Sequence, residues 1–457
     1  MQQEEQGQNA MQSQETVSDG QTASMRKKNI GKRICAVVLA VILLGVGGIV
    51  GWLVTYYSTD PRIRELQWML DVLESEHYQD VDVDEVYGDI YDAVMPDIFS
   101  HYYTADEYDI IVEQSQGVNR GIGVSVVEEM DGSALLYTVV ENSPAQLAGL
   151  KKGMYLLGYS TVGGEMQTGS ADEIMAFISE QEGEFCLYAG YDKDSASAGM
   201  YTMQREVYHA AYCVYRDSET SYALRDDAEN EDYVVFTETF DPLEGLDDST
   251  AYIRLDSFDG LCAQEFAYCM ETMKERGRTN LVLDLRGNGG GYLSDLPAIA
   301  SYFTKESDSD TPVVAYAQYR NGLRINYTSS SNEYANYFTE DSKITVLADE
   351  GSASASECLI GAMIDYGAID YLDIYLRKDA GAEDCSTYGK GVMQSMFTSP
   401  QGGVFQLTVA RIYWPVSGKC IHGTGVRESD GANGVVASYL PGETDVMLDT
   451  VIAGVCF

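Results

Sequence analysis

The sequence predicts a multidomain chain: an N-terminal transmembrane helix, a helical cap, a small β-rich domain and a larger α/β core. Three observations carry this expectation. An uncharged run, Ile34 to Tyr57, follows a basic cluster. Residues 117–207 alternate short β-type runs with two short helical stretches. From residue 208 onward, apolar β-runs alternate with helical periodicity, as in a layered α/β domain. A chain of 457 residues is long enough for two or three such domains.

Composition narrows the function. The net charge of −43 excludes nucleic acid as a partner, because phosphate binding needs clustered Lys and Arg. Nine cysteines are spread through the chain without a C-x-x-C pair, so no zinc or thioredoxin-like site is expected. They read as small core residues. No metal or cofactor is implied.

Residues 1–33 form a disordered tail, rich in Gln, Glu and Ser, that ends in the basic "MRKKNIGKR". The run 34–57 is about 36 Å long as a helix, enough to cross a bilayer, and Trp52, Tyr56 and Tyr57 sit where an aromatic belt would lie. Basic residues on its near side put the N-terminus in the cytoplasm and the rest of the chain outside it. This is a retained single-pass anchor, because no A-x-A cleavage site follows. Residues 58–116 read as amphipathic helices. "IRELQWMLDVLESEHY" puts Ile63, Leu66, Met69, Leu70 and Leu73 near one face, and "VYGDIYDAVMPDIFSHYY" continues the pattern to Pro96. That face suits a packed cap or a homo-oligomer surface.

Residues 117–207 open with "GVNRGIGVSVV" and continue through "SPAQLAGLKKGM", where Pro144 starts a short helix. This order resembles a PDZ domain, although Met154 stands where the usual motif has Asp. In "RGIGV", Arg120, Gly121, Ile122, Gly123 and Val124 are the expected peptide-binding residues. The glycines let backbone N–H groups converge on a carboxylate, and the following strand offers an edge for a peptide.

Residues 208–457 are the α/β core, and three stretches in it carry chemistry. "GSASASE", Gly351 to Glu357, lies between the β-run "ITVLAD" and a helix marked by Leu359, Ala362, Met363 and Tyr366. It is a strand-to-helix turn, where free N–H groups favour a developing oxyanion. Ser352, Ser354 and Ser356 each compete with a plain capping role, in which Glu357 closes a capping box. A serine nucleophile needs a base. Of the four histidines only His422 falls late in the α/β core, as a loop residue, while His209 directly follows the PDZ-like segment. "YGKGVMQ" offers Lys390, with Gln394 four residues on, and a helix there would put both on one face. Burial makes a lysine give up its proton more readily. "DLRGNGGG", Asp284 to Gly291, is neither a dinucleotide fingerprint nor a P-loop, and its backbone N–H groups suit half of an oxyanion hole.

Together "DLRGNGGG", "GSASASE" and "YGKGVMQ", in this order behind a PDZ-like segment, resemble the carboxyl-terminal processing proteases, serine peptidases with a Ser–Lys pair. The resemblance implies a crotonase-like core. It implies Ser354 as nucleophile, Lys390 as base and Gln394 as its positioner. The oxyanion hole would take the amides of Ala355 and of Gly289 or Gly290. The expected activity is a membrane-anchored serine endopeptidase whose partner is a protein or peptide with a free C-terminus. The alternative is a non-catalytic PDZ receptor, a pseudoprotease disabled by the long link "DYLDIYLRKDAGAEDCSTYGK" between serine and lysine. A hydrolase using His422 is a further rival. Near the end, Arg427 follows Val426 where the family has a Pro.

Overall fold

The computed structural model describes residues 37–51, 59–129, 131–193, 198–226, 234–304, 311–329, 337–437 and 445–455. They fall into two compact units, 1–94 and 95–457. In the first, residues 37–51 are helical, with exposed apolar side chains such as Val41, Leu44 and Ile49. Both ends of the expected membrane span 34–57 lie outside the described residues, as does the tail 1–33. Among the described residues no helix is long and apolar enough to cross a membrane. The helix Pro61–Glu76 starts at Asp60, whose carboxylate accepts the Arg62 N–H, and Val83–Ala93 starts at Asp82 in the same way.

The sequence suggested helix up to Pro96 and one helical region over 58–116. The chain instead leaves the helix at Ala93, and His101–Tyr103 is a strand of the second unit. Main-chain pairing decides this: His101, Tyr102 and Tyr103 stand opposite Gln406, Phe405 and Val404. Ala105–Ser115 then forms a helix under a Thr104–Glu107 capping box.

Within residues 117–207, five antiparallel strands run in the order Val124–Glu128, Ala134–Val139, Tyr155–Thr161, Phe185–Gly190, Gly199–Met203. Ile122, Leu136, Leu150, Ile174, Phe185 and Leu187 fill a core of their own. Val124–Glu128 is an edge strand, with one side of its backbone unpaired in the sheet.

The larger sheet has eight strands. Their order is Val234–Glu238, Ser221–Asp226, Cys213–Arg216, Thr250–Leu255, Asn280–Asp284, Ile344–Ala348, Ile374–Lys378, Asn433–Val436. The last five are mutually parallel. Parallel neighbours need crossovers, and the helices Cys262–Glu275 and Ala355–Asp365 supply two of them. Helix Ala355–Asp365 is buried along most of its length, with Leu359, Ile360 and Met363 in the core. Truncating any of these three to Ala costs about 2–5 kcal/mol. Because Asn280–Asp284 and Ile344–Ala348 are adjacent and parallel, the loops after them open side by side at the carboxyl edge of the sheet. "DLRGNGGG" and "GSASASE" are those two loops.

A second sheet is built around the strand Val404–Tyr413. It pairs with Val392–Thr398 along one side, and with His101–Tyr103 and Val313–Tyr319 along the other.

Candidate active site

Asp349, at the end of its strand, accepts the N–H groups of Gly287 and Gly351, at 2.8 and 2.9 Å, which ties the two loops together at their bases. Asn288 locks them higher up. Its carbonyl accepts Ala353 N at 2.9 Å and Ser356 Oγ at 3.0 Å, while its side chain donates to Leu255 O.

These bonds separate the three serines. Ser352 Oγ donates to Leu285 O at 2.8 Å and Ser356 Oγ to Asn288 O, and both residues are fully buried. Ser354 keeps 7% of its surface, and its Oγ donates to no acceptor among the described residues. It also carries the unusual backbone. Its φ of 57° and ψ of −111° lie outside the regions that L-residues favour. Strain of this kind costs roughly 1–3 kcal/mol and persists only where surrounding contacts impose it. Gly290 is one such contact. A Cβ there would come within 2.8 Å of Ser354 Cβ and 2.9 Å of Ala355 N, so the loop can lie this close only with glycine.

Glu357 does more than cap. Its buried carboxylate accepts Ser354 N at 3.0 Å and Lys390 N at 2.9 Å on the same oxygen, and Thr387 Oγ1 and Gly389 N on the other. Burial pushes this carboxyl above its ordinary value, against the pull of those donors. The long link between serine and lysine therefore does not set the lysine adrift. The link forms the strand Ile374–Lys378 and returns to Glu357. Glu357→Gln turns an amide donor toward two of these four donors. We expect it to lower stability by about 1–3 kcal/mol in denaturant titration. Peptidase turnover should fall about tenfold or more as the two backbones separate.

Lys390 is half-buried, and its Nζ stands 5.1 Å from the centre of the Phe99 ring. Burial lowers its pKa from the ordinary lysine value. Among the described residues no hydrogen bond joins Nζ to Ser354 Oγ; such bonds are often long in ligand-free sites and tighten on substrate.

The stretch after Lys390 is strand, not helix. Gly389, at a φ of +84°, is packed against the backbone of Thr424 and Gly425, and Gly391 against His422, which draws the chain into the sheet. Lys390, Val392 and Gln394 then share a face by strand alternation. Gln394 reaches Thr408 rather than Lys390: its Nε2 donates to Thr408 Oγ1 at 3.0 Å, and Thr408 Oγ1 donates to Asp97 at 3.2 Å. Asp97 also accepts Phe99 N and Ser100 Oγ. Burial acts to raise the Asp97 carboxyl, but these donors together hold it below its ordinary value. Sequence reasoning missed Asp97, Phe99, Asn288 and Thr408. Asn288 sits inside a quoted motif; the other three carry no local signal.

Of the two glycines offered for the oxyanion hole, Gly290 is a correction. Its N–H donates to Asn288 Oδ1 at 2.9 Å and is spent. Gly289 N–H has no acceptor among the described residues. Ala355 opens the helix, where the first N–H groups lack intrahelical acceptors.

The five PDZ-like residues divide. Gly121 and Gly123 have φ of +122° and +76°, and a Cβ on Gly123 would strike Ser143 and Tyr208. Ile122 is buried, and Val124 begins the edge strand. Arg120 is exposed, and its guanidinium donates to Glu113 through two bonds at 2.8 and 3.1 Å. His422 is exposed, with its ring 6.3 Å from Phe99.

Residues 249–429, which include Ser354, Lys390, Gln394 and both loop glycines, match the model of peptidase family S41. Carboxy-terminal processing protease CtpA of Bacillus subtilis is 23% identical over 379 residues, 80% of this chain and 68% of that protein. CtpB of the same organism is 30% identical over 178 residues, 39% of this chain, and the chain spans only 33% of CtpB's length. Among solved structures, a putative S41 protease from Bacteroides fragilis has the same fold. Its TM-score is 0.52 at 17% identity, over 85% of this chain and 97% of that one.

Proposed function

We propose that this chain, which carries a peptidase family S41 segment and resembles the carboxyl-terminal processing proteases, is a serine endopeptidase with a Ser354–Lys390 pair. One observation carries the reading. Of three clustered serines only Ser354 has a proton free to leave, and Glu357 ties its backbone to that of a lysine whose burial favours the neutral amine.

The chemistry balances on these groups. Ser354 Oγ attacks the scissile carbonyl as its proton passes to Lys390 Nζ. The carbonyl oxygen becomes an oxyanion facing the N–H groups of Ala355 and Gly289. Collapse breaks the C–N bond, and the departing amine takes the proton back from Lys390. Water then loses a proton to Lys390 and attacks the acyl ester; as the ester C–O bond breaks, Lys390 returns that proton to Ser354 Oγ, which releases the new carboxyl end and restores both groups. Gln394, held by Thr408 and Asp97, shapes the face on which Lys390 lies.

The segment 117–207 would capture a C-terminal tail on the Val124–Glu128 edge, near the glycines of "RGIGV". Incubated with an unstructured polypeptide, the protein should cleave it, and amidating that polypeptide's C-terminus should slow cleavage. An uncut polypeptide would favour the rival reading, a pseudoprotease. The contact of Lys390 Nζ with Phe99 rather than Ser354 Oγ is the observation on that side.

Anchoring through 34–57, with residues 1–33 cytoplasmic and the peptidase outside the cell membrane, belongs to the same proposal. It is supported by the basic cluster before Ile34. Protease added outside intact cells should then trim the chain to a small membrane-held stub; protection of the bulk of 59–457 argues against this orientation.

A further inference from the structure

The face that carries Lys390 and Gln394 continues across the second sheet. Val392, Arg411 and Gln318 stand opposite one another on three neighbouring strands, and side chains directly opposite share a face. Thr408 and Arg411 are three residues apart, so a regular strand would point them to opposite faces. The strand is not regular there. Met393 pairs with Ala410 but Gln394 pairs with Thr408, which leaves Val409 as an extra residue. This bulge brings Arg411 to the face of Thr408 and Gln394. Ala410 and Ile412, on the other face, are buried.

A cleft of about 510 Å³ opens on this face, and Asp97, Gln318, Arg320, Thr408, Arg411 and His422 are among its walls. Its charge sets it apart. The chain holds 72 Asp and Glu against 29 Lys and Arg, so cations are scarce and readily paired. Arg276 and Arg278 are held by Asp217, and Arg286 by Asp284. Arg324, on the neighbouring strand, lies 3.5 Å above the Tyr316 ring, which stacks on Tyr413. Arg320 and Arg411, by contrast, are exposed and have no carboxylate in ion-pair distance among the described residues. The cleft's own carboxylate, Asp97, is occupied by Phe99 N, Ser100 Oγ and Thr408 Oγ1.

We propose that this cleft is a substrate subsite for a carboxylate, in which Arg411, with Arg320 beside it, pairs with an anionic group of the bound peptide. The proposal rests on the peptidase reading above. A peptide extended from Lys390 along the face of Val392 and Gln394 would meet Arg411, which stands opposite Val392. Guanidinium forks suit a carboxylate because their parallel N–H groups match its two oxygens. The carboxylate comes either from an acidic side chain near the cleaved bond or from the peptide's own C-terminus.

The test reads binding without cleavage, in the full chain carrying Ser354→Ala. Labelled peptides of one sequence differ by Glu or Gln at each position in turn, and by a free or amidated C-terminus. The favoured acidic peptide should bind about tenfold tighter than its neutral counterpart, as expected for hydrogen bonds to a charged group. Adding Arg411→Met should bring that ratio close to one, and Arg411→Lys should keep part of it. A ratio that follows one Glu position assigns the side chain; one that follows the free C-terminus and disappears with Arg411→Met assigns the terminus. Equal affinity for all peptides overturns the proposal, and so does a preference that survives both Arg411→Met and Arg320→Met. Failure of the peptidase reading looks different: unmodified Ser354 protein cleaves none of the peptides while the binding preference stands.

Discussion

Ser354→Ala is expected to abolish peptidase activity, a fall of about 10⁴-fold or more in kcat/KM, while the fold survives. The loss is total because the hydroxyl that attacks the carbonyl is gone and neither neighbour can replace it. Ser352 and Ser356 are buried and committed to Leu285 O and Asn288 O. Stability should change little, because alanine keeps the Cβ and therefore the backbone strain at a φ of 57°. Ser354→Gly should be equally inactive yet more stable than Ser354→Ala by about 0.5–1 kcal/mol, since glycine accepts that backbone. Ser352→Ala and Ser356→Ala should show the reverse profile. Each leaves a buried carbonyl short of a donor, at a cost of about 1–3 kcal/mol, and each should keep much of the activity. Circular dichroism melts and kcat/KM on one peptide separate the two profiles.

Lys390→Ala should be nearly as damaging as Ser354→Ala, and the double variant little worse, because groups that act as one unit are not additive. Lys390→Arg should fail too, since guanidinium does not release its proton near neutral pH. The sign of the pH dependence follows from burial. The active form of Lys390 is the neutral amine, and burial lowers its pKa. Activity should therefore rise with pH, with a midpoint below the ordinary lysine value of about 10.4. Phe99→Ala opens the ring side of Nζ to water and should move that midpoint upward. Full activity in Lys390→Ala would leave the Ser–Lys mechanism without support.

The turn "GSASASE" was legible in the sequence because it sits between an apolar β-run and a periodic helix; that "DLRGNGGG" opens beside it follows from the parallel pairing of Asn280–Asp284 with Ile344–Ala348. The choice of Ser354 among three serines was not legible from the residues. It depends on which hydroxyls find carbonyls on the other loop, at Leu285 and Asn288, and that is tertiary information. Spacing misled at Gln394. Four residues suit a helix face equally well, and only the pairing with Val404–Tyr413 makes the stretch a strand with a bulge. The ion pair of Arg120 was not legible either, because its partner Glu113 lies in the preceding helix, outside the motif. Asp97 and Phe99 were read as part of a helical cap, since nothing local to "MPDIFS" announces that its backbone leads into a sheet built by residues three hundred positions later.

Trapping the acyl-enzyme tests the central claim most directly. The protein is mixed with an activated ester of a short peptide, quenched within one turnover, digested and read by mass spectrometry. The account predicts one acyl group on Ser354, with none on Ser352 or Ser356, and its disappearance in Lys390→Ala. An acyl group on another residue, or equal labelling of Ser354 with and without Lys390, would contradict it.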